Sequence, residues 1–401
     1  MALEPDAENP VQSKPTISWF RPEPFGAWVR LDDRTLIAVD HALAQRLGIS
    51  FDKTAVASTG PLEAHVSLTS RCYAPCTDCY LDAKPDGVMP SFEALQSRIL
   101  AWQKLGASTI AFGGGEPLLR DDLGRLATIA RSLGLVPVMT TSGFGLTEQL
   151  AAELRAFAQI NVSHDGVNGG YGSVRGFDGS RAAERAIEML VHQGIPVGAN
   201  VVVTRDSFPH LLETAEHLAG LGVGELQLLR FKPRGRAARA DYLDKRLTSE
   251  QVLALWTVIK SIVDRRRLSV RIDCALVPLL SEALVCLDEP AQVLAALGVF
   301  GCEAGRHLGA VDAHGRSMAC SFSEGSAAGE QDLTSAWSAD PELERFRGYH
   351  ANPDEPCRSC VLRSVCRGGC QIVSRYAFGA FGPDPECPRV MRRRRHLEVL
   401  A

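Results

Sequence analysis

Residues 62–80 read LEAHVSLTSRCYAPCTDCY, which predicts a strand over 63–68 followed by a loop with three cysteines. Three and two residues separate Cys72, Cys76 and Cys79, so their thiolates can close around a compact inorganic group. A structural zinc ion needs four ligands in a closed tetrahedron. Three ligands to a 4Fe–4S cluster instead leave one iron free to bind a substrate. A zinc site with a distant fourth ligand, or a cysteine loop that holds nothing, stays open as an alternative.

Beyond this stretch the chain alternates predicted strands with helices. The predicted strands are 63–68, 108–112, 135–140, 158–163, 198–203 and 225–231. The helices between them include 91–105, 121–133, 147–157, 180–193 and 208–221. Glycines stand where helix C-terminal caps are expected, at Gly106, Gly134, Gly194 and Gly222. Six alternations predict an α/β fold with a parallel sheet and helices outside it, either a barrel or an open doubly wound sheet. In both architectures the functional side chains lie at the carboxyl ends of the strands.

The composition excludes several classes of protein. The chain has 401 residues, of which 45% are hydrophobic and 22% charged, as in soluble globular proteins. The 43 Lys+Arg and 47 Asp+Glu give a net charge of −4, which offers no electrostatic case for binding nucleic acid. No apolar run reaches the ~18 residues that cross a bilayer, and the first residues lack the features of a signal peptide. We therefore expect a cytoplasmic protein with neither a nucleic-acid nor a membrane partner.

The 12 cysteines of the chain are the unusual feature of its composition. In a reducing cytosol structural disulfides are rare, so metal or redox chemistry is the expected role. Three cysteines lie early, nine lie in the last third, and none lies between Cys79 and Cys274. This distribution predicts two sites in two domains.

We divide the chain into three predicted parts. Residues 1–61 are an N-terminal extension, with strands at 27–31 and 35–39 and a short helix at 41–48. Residues 62–270 hold the strand–helix alternation. Residues 271–401 are irregular and rich in Gly, Pro and Cys, which is typical of a domain built around metal.

Glycine and polar residues follow two more of the predicted strands. The second strand ends in Phe112-Gly113-Gly114-Gly115-Glu116-Pro117, where glycines let the backbone approach a ligand and the carboxylate can accept from an ammonium group. The fourth strand ends in Ser163-His164-Asp165-Gly166. Ser163 and Asp165 alternate along the strand, so both can face the mouth of the barrel. The alternatives are simple turns, with a helix cap in the second case.

The Cys-x3-Cys-x2-Cys spacing, followed by Gly-Gly-Glu-Pro, resembles the signature of radical S-adenosylmethionine (SAM) enzymes. The resemblance implies a partial six-stranded (β/α) barrel whose 4Fe–4S cluster, held by Cys72, Cys76 and Cys79, binds SAM. Reductive cleavage of SAM then gives methionine and a 5′-deoxyadenosyl radical that abstracts a hydrogen atom. Many members carry an aromatic residue just before the third cysteine, where this chain has Asp78, with Tyr80 just after it.

The same resemblance implies a set of SAM-binding residues. They are Gly114, Gly115, Glu116, Ser163, Asp165 and Arg175. Glu116 belongs to the motif that holds the methionine amino group. Arg175 is the candidate for the methionine carboxylate, with Arg181 and Arg185 as rivals. Weaker candidates near the fifth and sixth strands are Asn200, Arg230 and Lys232. The third strand ends in Thr140-Thr141-Ser142-Gly143, where Ser142 replaces the asparagine that is usual in the family. After the fourth strand, His164 stands where leucine is commoner in the family, and we interpret it as structural.

The C-terminal cysteines form a longer pattern. Cys302 and Cys320 are followed by Cys357-x2-Cys360-x5-Cys366-x3-Cys370 and, after sixteen residues, by Cys387. This pattern resembles the SPASM domain, which holds two auxiliary 4Fe–4S clusters; a zinc ribbon is the alternative. The resemblance assigns the outer cluster to Cys357, Cys360, Cys366 and Cys387, and the inner cluster to Cys302, Cys320 and Cys370. The fourth inner ligand is not fixed by the pattern: Cys286 is the first candidate, Cys274 the second, and an open iron the third.

Within the family, the motifs at 113–117, 366–370 and 382–387 look most like those of mycofactocin-type peptide maturases. This implies an oxygen-sensitive enzyme that oxidatively crosslinks or decarboxylates a ribosomally made precursor peptide. The implied partners are that peptide, with or without a separate peptide-recognition protein, and a flavodoxin- or ferredoxin-type electron donor. Residues 20–27 resemble part of a peptide-recognition domain, although a hairpin that pads the barrel is an equal alternative.

Three other functions stay open. The first is radical chemistry on a sulfatase-type protein side chain, a tetrapyrrole or a small metabolite. The second is an iron–sulfur electron carrier, against which Gly-Gly-Glu-Pro argues because a carrier needs no SAM site. The third is a structural zinc protein, which would be colourless.

Overall fold

The structure, a computed structural model, describes residues 17–23, 26–33, 35–50, 60–239, 241–265, 267–284, 287–326 and 333–400, apart from the side chains of 296 and 395–400. By its internal contacts the chain divides into two compact units, Met1–Thr59 and Gly60–Ala401. The divisions after residues 61 and 270 stay predictions. No helix in the described part of the chain is long and apolar enough to cross a membrane.

The first unit is a small antiparallel sheet with one helix. The strands, paired in chain order, are β1 (Trp19–Glu23), β2 (Gly26–Asp32) and β3 (Thr35–Asp40), and the helix is α1 (His41–Arg46). The helix begins at Asp40, whose carboxylate accepts a hydrogen bond from the backbone N–H of Leu43 at 2.7 Å. The predicted strands at 27–31 and 35–39 and the helix at 41–48 are present, whereas β1 is not among the predicted strands.

The second unit is built on one nine-stranded sheet. Its strands are β4 (Glu63–Thr69), β5 (Thr109–Gly114), β6 (Val136–Thr141), β7 (Gln159–Ser163), β8 (Val197–Val203), β9 (Glu225–Arg230), β10 (Ser269–Ile272), β11 (Leu308–Val311) and β12 (Ser317–Met318). Their order across the sheet is β10-β9-β8-β7-β6-β5-β4-β11-β12. All neighbouring pairs are parallel except the last, β11 with β12. The six predicted strands are therefore confirmed, in an open sheet that corresponds to a partial barrel.

Helices cover the strands of this sheet. They are α2 (Phe92–Lys104), α3 (Leu123–Ser132), α4 (Glu148–Glu153), α5 (Gly170–Arg175), α6 (Ser180–His192), α7 (Leu211–Gly220), α8 (Tyr242–Lys245), α9 (Ser249–Asp264), α10 (Ser281–Leu284), α11 (Pro290–Ala296), α12 (Leu333–Ala339), α13 (Pro341–Ala351), α14 (Arg363–Cys366), α15 (Gln371–Phe378) and α16 (Pro388–Leu400). In α6 the buried residues are Ala183, Ala186, Ile187 and Leu190, the helical spacing that places one apolar stripe against the sheet.

The C-terminal part of the chain contributes to the same sheet. β11 pairs in parallel with β4, from Leu308 opposite Glu63 to Val311 opposite Val66. The prediction of irregular structure after residue 270 is therefore wrong for this segment, because four residues are too few to show a strand pattern. Since the carboxyl ends of β4 to β9 lie along one edge of the sheet, the loops that follow these strands meet there.

Candidate active site

The three cysteines of the first motif lie on the loop that follows β4. Arg236 holds this loop: its Nε donates to the carbonyl of Cys76 at 2.9 Å, and its backbone N–H donates to the carbonyl of Cys79 at 2.9 Å. Burial raises the pKa of the Cys72 and Cys76 thiols, and the neighbouring cysteines add to the effect. All three residues are half-buried, so the loop presents three thiols close together.

A cavity of about 350 Å³ opens beside these cysteines. All of the residues implied to bind SAM line it, namely Gly114, Gly115, Glu116, Ser163, Asp165 and Arg175. The weaker candidates Asn200, Arg230 and Lys232 line it too. Arg181 and Arg185 are exposed on α6 and are not among the described residues that line the cavity. The structure thus brings residues of several neighbouring strands and of α5 to one cavity, and of the three candidate arginines Arg175 is the one described as lining it.

The glycine run at the end of β5 packs its backbone against the loop after β4. The N–H of Gly115 donates to the carbonyl of Thr69 at 2.7 Å, and the N–H of Glu116 donates to that of Arg71 at 2.9 Å. A Cβ on Gly115 would lie 2.1 Å from the carbonyl oxygen of Arg71. Gly114 has a φ of +116°, and a Cβ there would lie 2.3 Å from the oxygen of Thr69. Only glycine allows this approach, which makes bare backbone part of the cavity wall.

The carboxylate of Glu116 joins the ends of β5 and β6. Its Oε1 accepts from the N–H of Leu118 at 3.1 Å and from Oγ1 of Thr141 at 2.5 Å. Its Oε2 accepts from the N–H of Ser142 at 2.9 Å and from the hydroxyl of the same residue. The sequence singled out Ser142 only as a replacement for asparagine, and the structure makes it a partner of Glu116.

Asp165 and Arg175 form a buried ion pair beside the cysteine loop. Arg175 Nε lies 2.6 Å from Oδ2 of Asp165, which is fully buried, while Oδ1 accepts from the N–H of Val202 at 2.9 Å. Burial lowers the pKa of Arg175, but the carboxylate outweighs this and the pKa is raised. Nη1 of Arg175 also lies 3.7 Å from Sγ of Cys76. The predicted cofactor contacts and the cysteine loop are therefore electrostatically connected, which the sequence did not reveal.

The residues on either side of the third cysteine differ from the family's usual arrangement. Asp78 is nearly fully buried and pairs with Lys245. Tyr80 stacks on Phe322, with ring centroids 4.4 Å apart, and burial raises the pKa of its hydroxyl. The position just before the third cysteine therefore contributes an ion pair to the site rather than an aromatic face.

The C-terminal cysteines lie in two neighbourhoods. In the predicted outer group the thiol of Cys366 interacts electrostatically with those of Cys387, Cys357 and Cys360. Burial raises the pKa of the Cys357, Cys366 and Cys387 thiols, to about 12 for Cys357.

In the inner group, Cys302 interacts with Cys320 and Cys370. Cys274 interacts with Cys302 and Cys370 and completes a set of four thiols. Cys286, the first candidate for this place, lies outside the described residues.

Lys232 brings a positive charge to the inner group. Its Nζ contacts Oδ2 of Asp273 at 2.5 Å and lies 4.1 Å from the centre of the Phe322 ring. Burial lowers its pKa, but Asp273 and the thiols of Cys274 and Cys370 outweigh this, so the pKa is raised. The weak SAM candidate from the sequence is thus a charged neighbour of the C-terminal cysteines.

The family model described as the radical SAM superfamily matches residues 66–218. This range contains the three cysteines, the glycine run and the Asp165–Arg175 pair. Residues 66–218 therefore form a radical SAM domain. Such a domain indicates a radical SAM enzyme and implies a 4Fe–4S cluster and SAM as cofactors.

Proteins similar to this radical SAM enzyme align with most of its length. Mycofactocin maturase MftC of Mycolicibacterium smegmatis (strain ATCC 700084 / mc(2)155) is 29% identical over 335 residues, 80% of this chain and 81% of that protein. The PqqA peptide cyclase of Gluconobacter oxydans (strain 621H) is 25% identical over 345 residues, 82% and 90% of the two chains. The crystal structure of Streptococcus suis SuiB bound to precursor peptide SuiA matches with a TM-score of 0.70 at 15% identity, over 94% of this chain and 99% of that one. The structural match supports the same fold.

The cavity of the radical SAM enzyme also contains a cluster of polar side chains that the sequence does not reveal. Nδ1 of His65 lies 2.6 Å from Oγ of Ser321, and its Nε2 lies 2.8 Å from Oε1 of Glu63. Burial raises the pKa of Glu63, but His65 and Arg271 lower it to about 2. All four side chains line the cavity. In the sequence this group shows only as polar residues inside an apolar strand. His65 and Ser321 are 256 positions apart, so no local pattern predicts their contact.

Proposed function

We propose that this enzyme cleaves SAM reductively to a 5′-deoxyadenosyl radical and uses the radical to modify a ribosomally synthesised precursor peptide by crosslinking, decarboxylation or both. The observation that carries the proposal is the convergence of three thiols, five residues at the ends of β5 and β7 and Arg175 of α5 on one cavity of about 350 Å³. The relatives named a mycofactocin maturase and a PqqA peptide cyclase support a peptide as the substrate. So does the structural likeness to SuiB, which was crystallised with its precursor peptide.

The three groups of cysteines would hold three 4Fe–4S clusters. Cys72, Cys76 and Cys79 supply three ligands to the first cluster, which leaves one iron for SAM. The donor sets fit, because cluster iron binds thiolates and its positive charge replaces the protons that burial otherwise retains on crowded thiols. When bound, the first cluster supplies the electron for SAM cleavage, and the auxiliary clusters accept the electron released as the peptide is oxidised.

The residues at the strand ends would bind SAM. Glu116 offers a carboxylate to the methionine ammonium group, while Gly114 and Gly115 expose backbone to the cofactor. Arg175 offers a cation to the methionine carboxylate. Ser163 and Asp165 would bind the ribose and methionine portions, and the hydrogen bond of Asp165 to Arg175 orients the guanidinium.

The two C-terminal groups would hold the auxiliary clusters. The outer cluster takes Cys357, Cys360, Cys366 and Cys387, and the inner cluster takes Cys302, Cys320 and Cys370. We propose Cys274 as the fourth inner ligand, because its thiol interacts with those of Cys302 and Cys370. With Cys274 as the fourth thiolate, these residues would leave no open iron for the peptide, and the group they hold would supply electron transfer.

Two kinds of protein partner follow from this chemistry. The precursor peptide is the substrate, delivered with or without a separate peptide-recognition protein. A flavodoxin- or ferredoxin-type protein supplies the electron for the first cluster.

Anaerobic loading of cysteine variants with iron and sulfide tests the first part of the proposal. The wild-type protein should bind about twelve iron atoms per chain and form 5′-deoxyadenosine from SAM. Replacing Cys72, Cys76 and Cys79 together with alanine should remove about four irons and abolish SAM cleavage, while the C-terminal iron remains. Undiminished 5′-deoxyadenosine formation in this variant would refute the assignment.

Single variants of the C-terminal cysteines test the electron route. Cys320→Ala or Cys360→Ala should still form 5′-deoxyadenosine but no modified peptide, with the precursor encoded beside the gene as substrate. Because metal also contributes folding energy, each variant must first show a cooperative thermal transition and retain about four irons at the first site. Full product yield from such a folded variant would show that the C-terminal clusters are structural.

A further inference from the structure

A second set of metal-ligating side chains lies away from the cavity. His164 directly follows β7, Glu184 lies in α6 and His217 lies in α7. None of the three is among the residues that line the cavity. Successive side chains of an extended segment point to opposite faces. His164 therefore points away from its cavity-lining neighbours and towards the two helices.

The ligand atoms of these three side chains converge on one point. Nε2 of His217 lies 2.9 Å from Oε1 of Glu184, and Nε2 of His164 lies 3.4 Å from the same oxygen. All three atoms lie within 4.8 Å of one another. Around a tetrahedral zinc ion with bonds of 2.0–2.2 Å, two ligand atoms are about 3.3 Å apart. The observed separations lie on both sides of this value, so small side-chain rotations would place all three atoms on one ion.

Hydrogen bonds within the protein satisfy the buried imidazole of His164 poorly. Its side chain is fully buried, and its one polar contact with the described part of the chain, at 3.4 Å to Glu184, is longer than the usual 2.7–3.2 Å of an N–H···O bond. Its Nδ1 has no hydrogen-bond partner among the described residues. Buried polar groups are nearly always better satisfied than this. A metal ion between Nε2 and Oε1 would replace one weak contact with two strong bonds.

The protonation states and the surroundings favour a cation. Burial lowers the pKa of His164 and keeps the imidazole in the neutral form that binds metals. Burial raises the pKa of Glu184, but hydrogen bonds with the two histidines lower it overall, which keeps the carboxylate charged. The side chains of Glu184 and His217 are 26% and 38% exposed, so an ion can enter from solvent and keep a water molecule as its fourth ligand.

We propose that His164, Glu184 and His217 bind one divalent transition-metal ion of the Zn²⁺ type, separate from the iron held by the cysteines. Two imidazole nitrogens and a carboxylate oxygen are a ligand set that zinc prefers. The ion would fasten the end of β7 to α6 and α7. Since Asp165 is the next residue after His164, the ion would also fix the backbone that carries the Asp165–Arg175 pair.

Zinc titration of the anaerobic holoenzyme tests this site. After treatment with a chelator, the protein with its iron restored should bind about one Zn²⁺ per chain. X-ray absorption at the zinc edge should show nitrogen or oxygen neighbours at about 2.0–2.2 Å and no sulfur at about 2.3 Å. The absence of sulfur distinguishes this site from zinc that has entered a cysteine site.

Two histidine variants provide the comparison. His217→Ala removes a partly exposed ligand and should raise the Kd for zinc by about 100-fold or more, beyond the usual effect of an outer-shell change. His210→Ala, a control, removes an equally exposed histidine that contacts Asn168 and Glu213 and should leave the Kd unchanged. Zinc should raise the Tm of the wild type and the control but not that of His217→Ala. An unchanged Kd in His217→Ala, a sulfur shell, or no zinc binding by the wild type would each overturn the proposal.

Discussion

The buried carboxylates around Arg230 allow a quantitative prediction about how the C-terminal segment is held. Nη1 of Arg230 lies 2.6 Å from Oδ2 of Asp384, and its Nη2 lies 3.0 Å from Oδ1 of Asp384 and 3.0 Å from Glu386. The arginine and Asp384 side chains are 3% and 1% exposed. The Asp384 carboxylate also accepts from the N–H of Cys370 at 3.0 Å. Asp384 thus pairs with the arginine, together with Glu386, and also holds the cysteine segment.

The change Asp384→Asn keeps the shape of the side chain but removes its charge and one acceptor oxygen. Loss of one partner of a buried ion pair costs about 3–5 kcal/mol, and we take the lower value of about 3 kcal/mol because Arg230 keeps its contact with Glu386. Unfolding entropy is about 2.1 cal/mol/K per residue, so the unit Gly60–Ala401 loses stability at about 0.7 kcal/mol per degree. We therefore expect the Tm of the variant to fall by about 4 °C.

Anaerobic thermal unfolding followed by circular dichroism measures this change, with both proteins carrying the same iron content. The matched control is Asp82→Asn, which breaks an ion pair with Arg236 at 2.9 Å in which Asp82 is 44% exposed. Such a pair is worth about 0–1 kcal/mol, so the control should change the Tm by about 1 °C or less. Equal decreases in the two variants would refute the argument that burial determines the energy of the Arg230 pair.

Three other predictions concern single side chains. His350 is buried and burial lowers its pKa to about 4; its stabilising effect is therefore complete above the unfolded pKa of about 6.5 and declines below it. From pH 7.5 to 5.5 the wild type should lose about 1.4 kcal/mol of stability that His350→Leu does not lose. Gly115→Ala should weaken SAM binding by about 10-fold or more, because its Cβ would meet the carbonyl of Arg71 at 2.1 Å. Glu116→Gln removes one charged acceptor and should raise the Kd for SAM by about 10- to 100-fold.

Each of these predictions has a defined control. The pH dependence of the Tm answers the first, and parallel curves for wild type and variant would contradict it. For SAM affinity, measured by equilibrium dialysis, Gly348→Ala in α13 is the control, since Gly348 does not line the cavity and a Cβ there meets nothing within 4 Å. Equal affinities of the two alanine variants would show that the close approach at Gly115 is unimportant. An unchanged Kd in Glu116→Gln, at unchanged iron content, would limit that carboxylate to joining two strands.

The strands of the sheet could be predicted because their signals are local. Each of the six predicted strands lies within two residues of the observed one at either end. The predicted helix ends are equally local, and Gly106, Gly134, Gly194 and Gly222 all have positive φ. In all these cases a few neighbouring residues carry the information.

The features that could not be predicted depend on residues far away along the chain, or on exceptions to the usual strand preferences. β1 contains Pro22, which normally argues against a strand, but β1 is an edge strand and tolerates it. β11 has four residues and exists because β4 offers it an edge. Likewise, Ser142 and Glu116 are 26 residues apart, so no local pattern reveals that one donates to the other. Each of these features depends on where its residues lie relative to the rest of their sheet, which the local sequence does not show.

The pairing of β11 with β4 limits how this protein can be divided in engineering or in evolution. A shortened chain that stops before Leu308 would leave β4 with a bare row of backbone N–H and C=O groups from Glu63 to Val66. Such an edge readily pairs with another chain and promotes aggregation. β4, the strand that precedes the cysteine loop, would then itself pair with other chains. An exchange of C-terminal regions between related maturases therefore needs to retain a strand equivalent to β11, even when every cysteine is replaced.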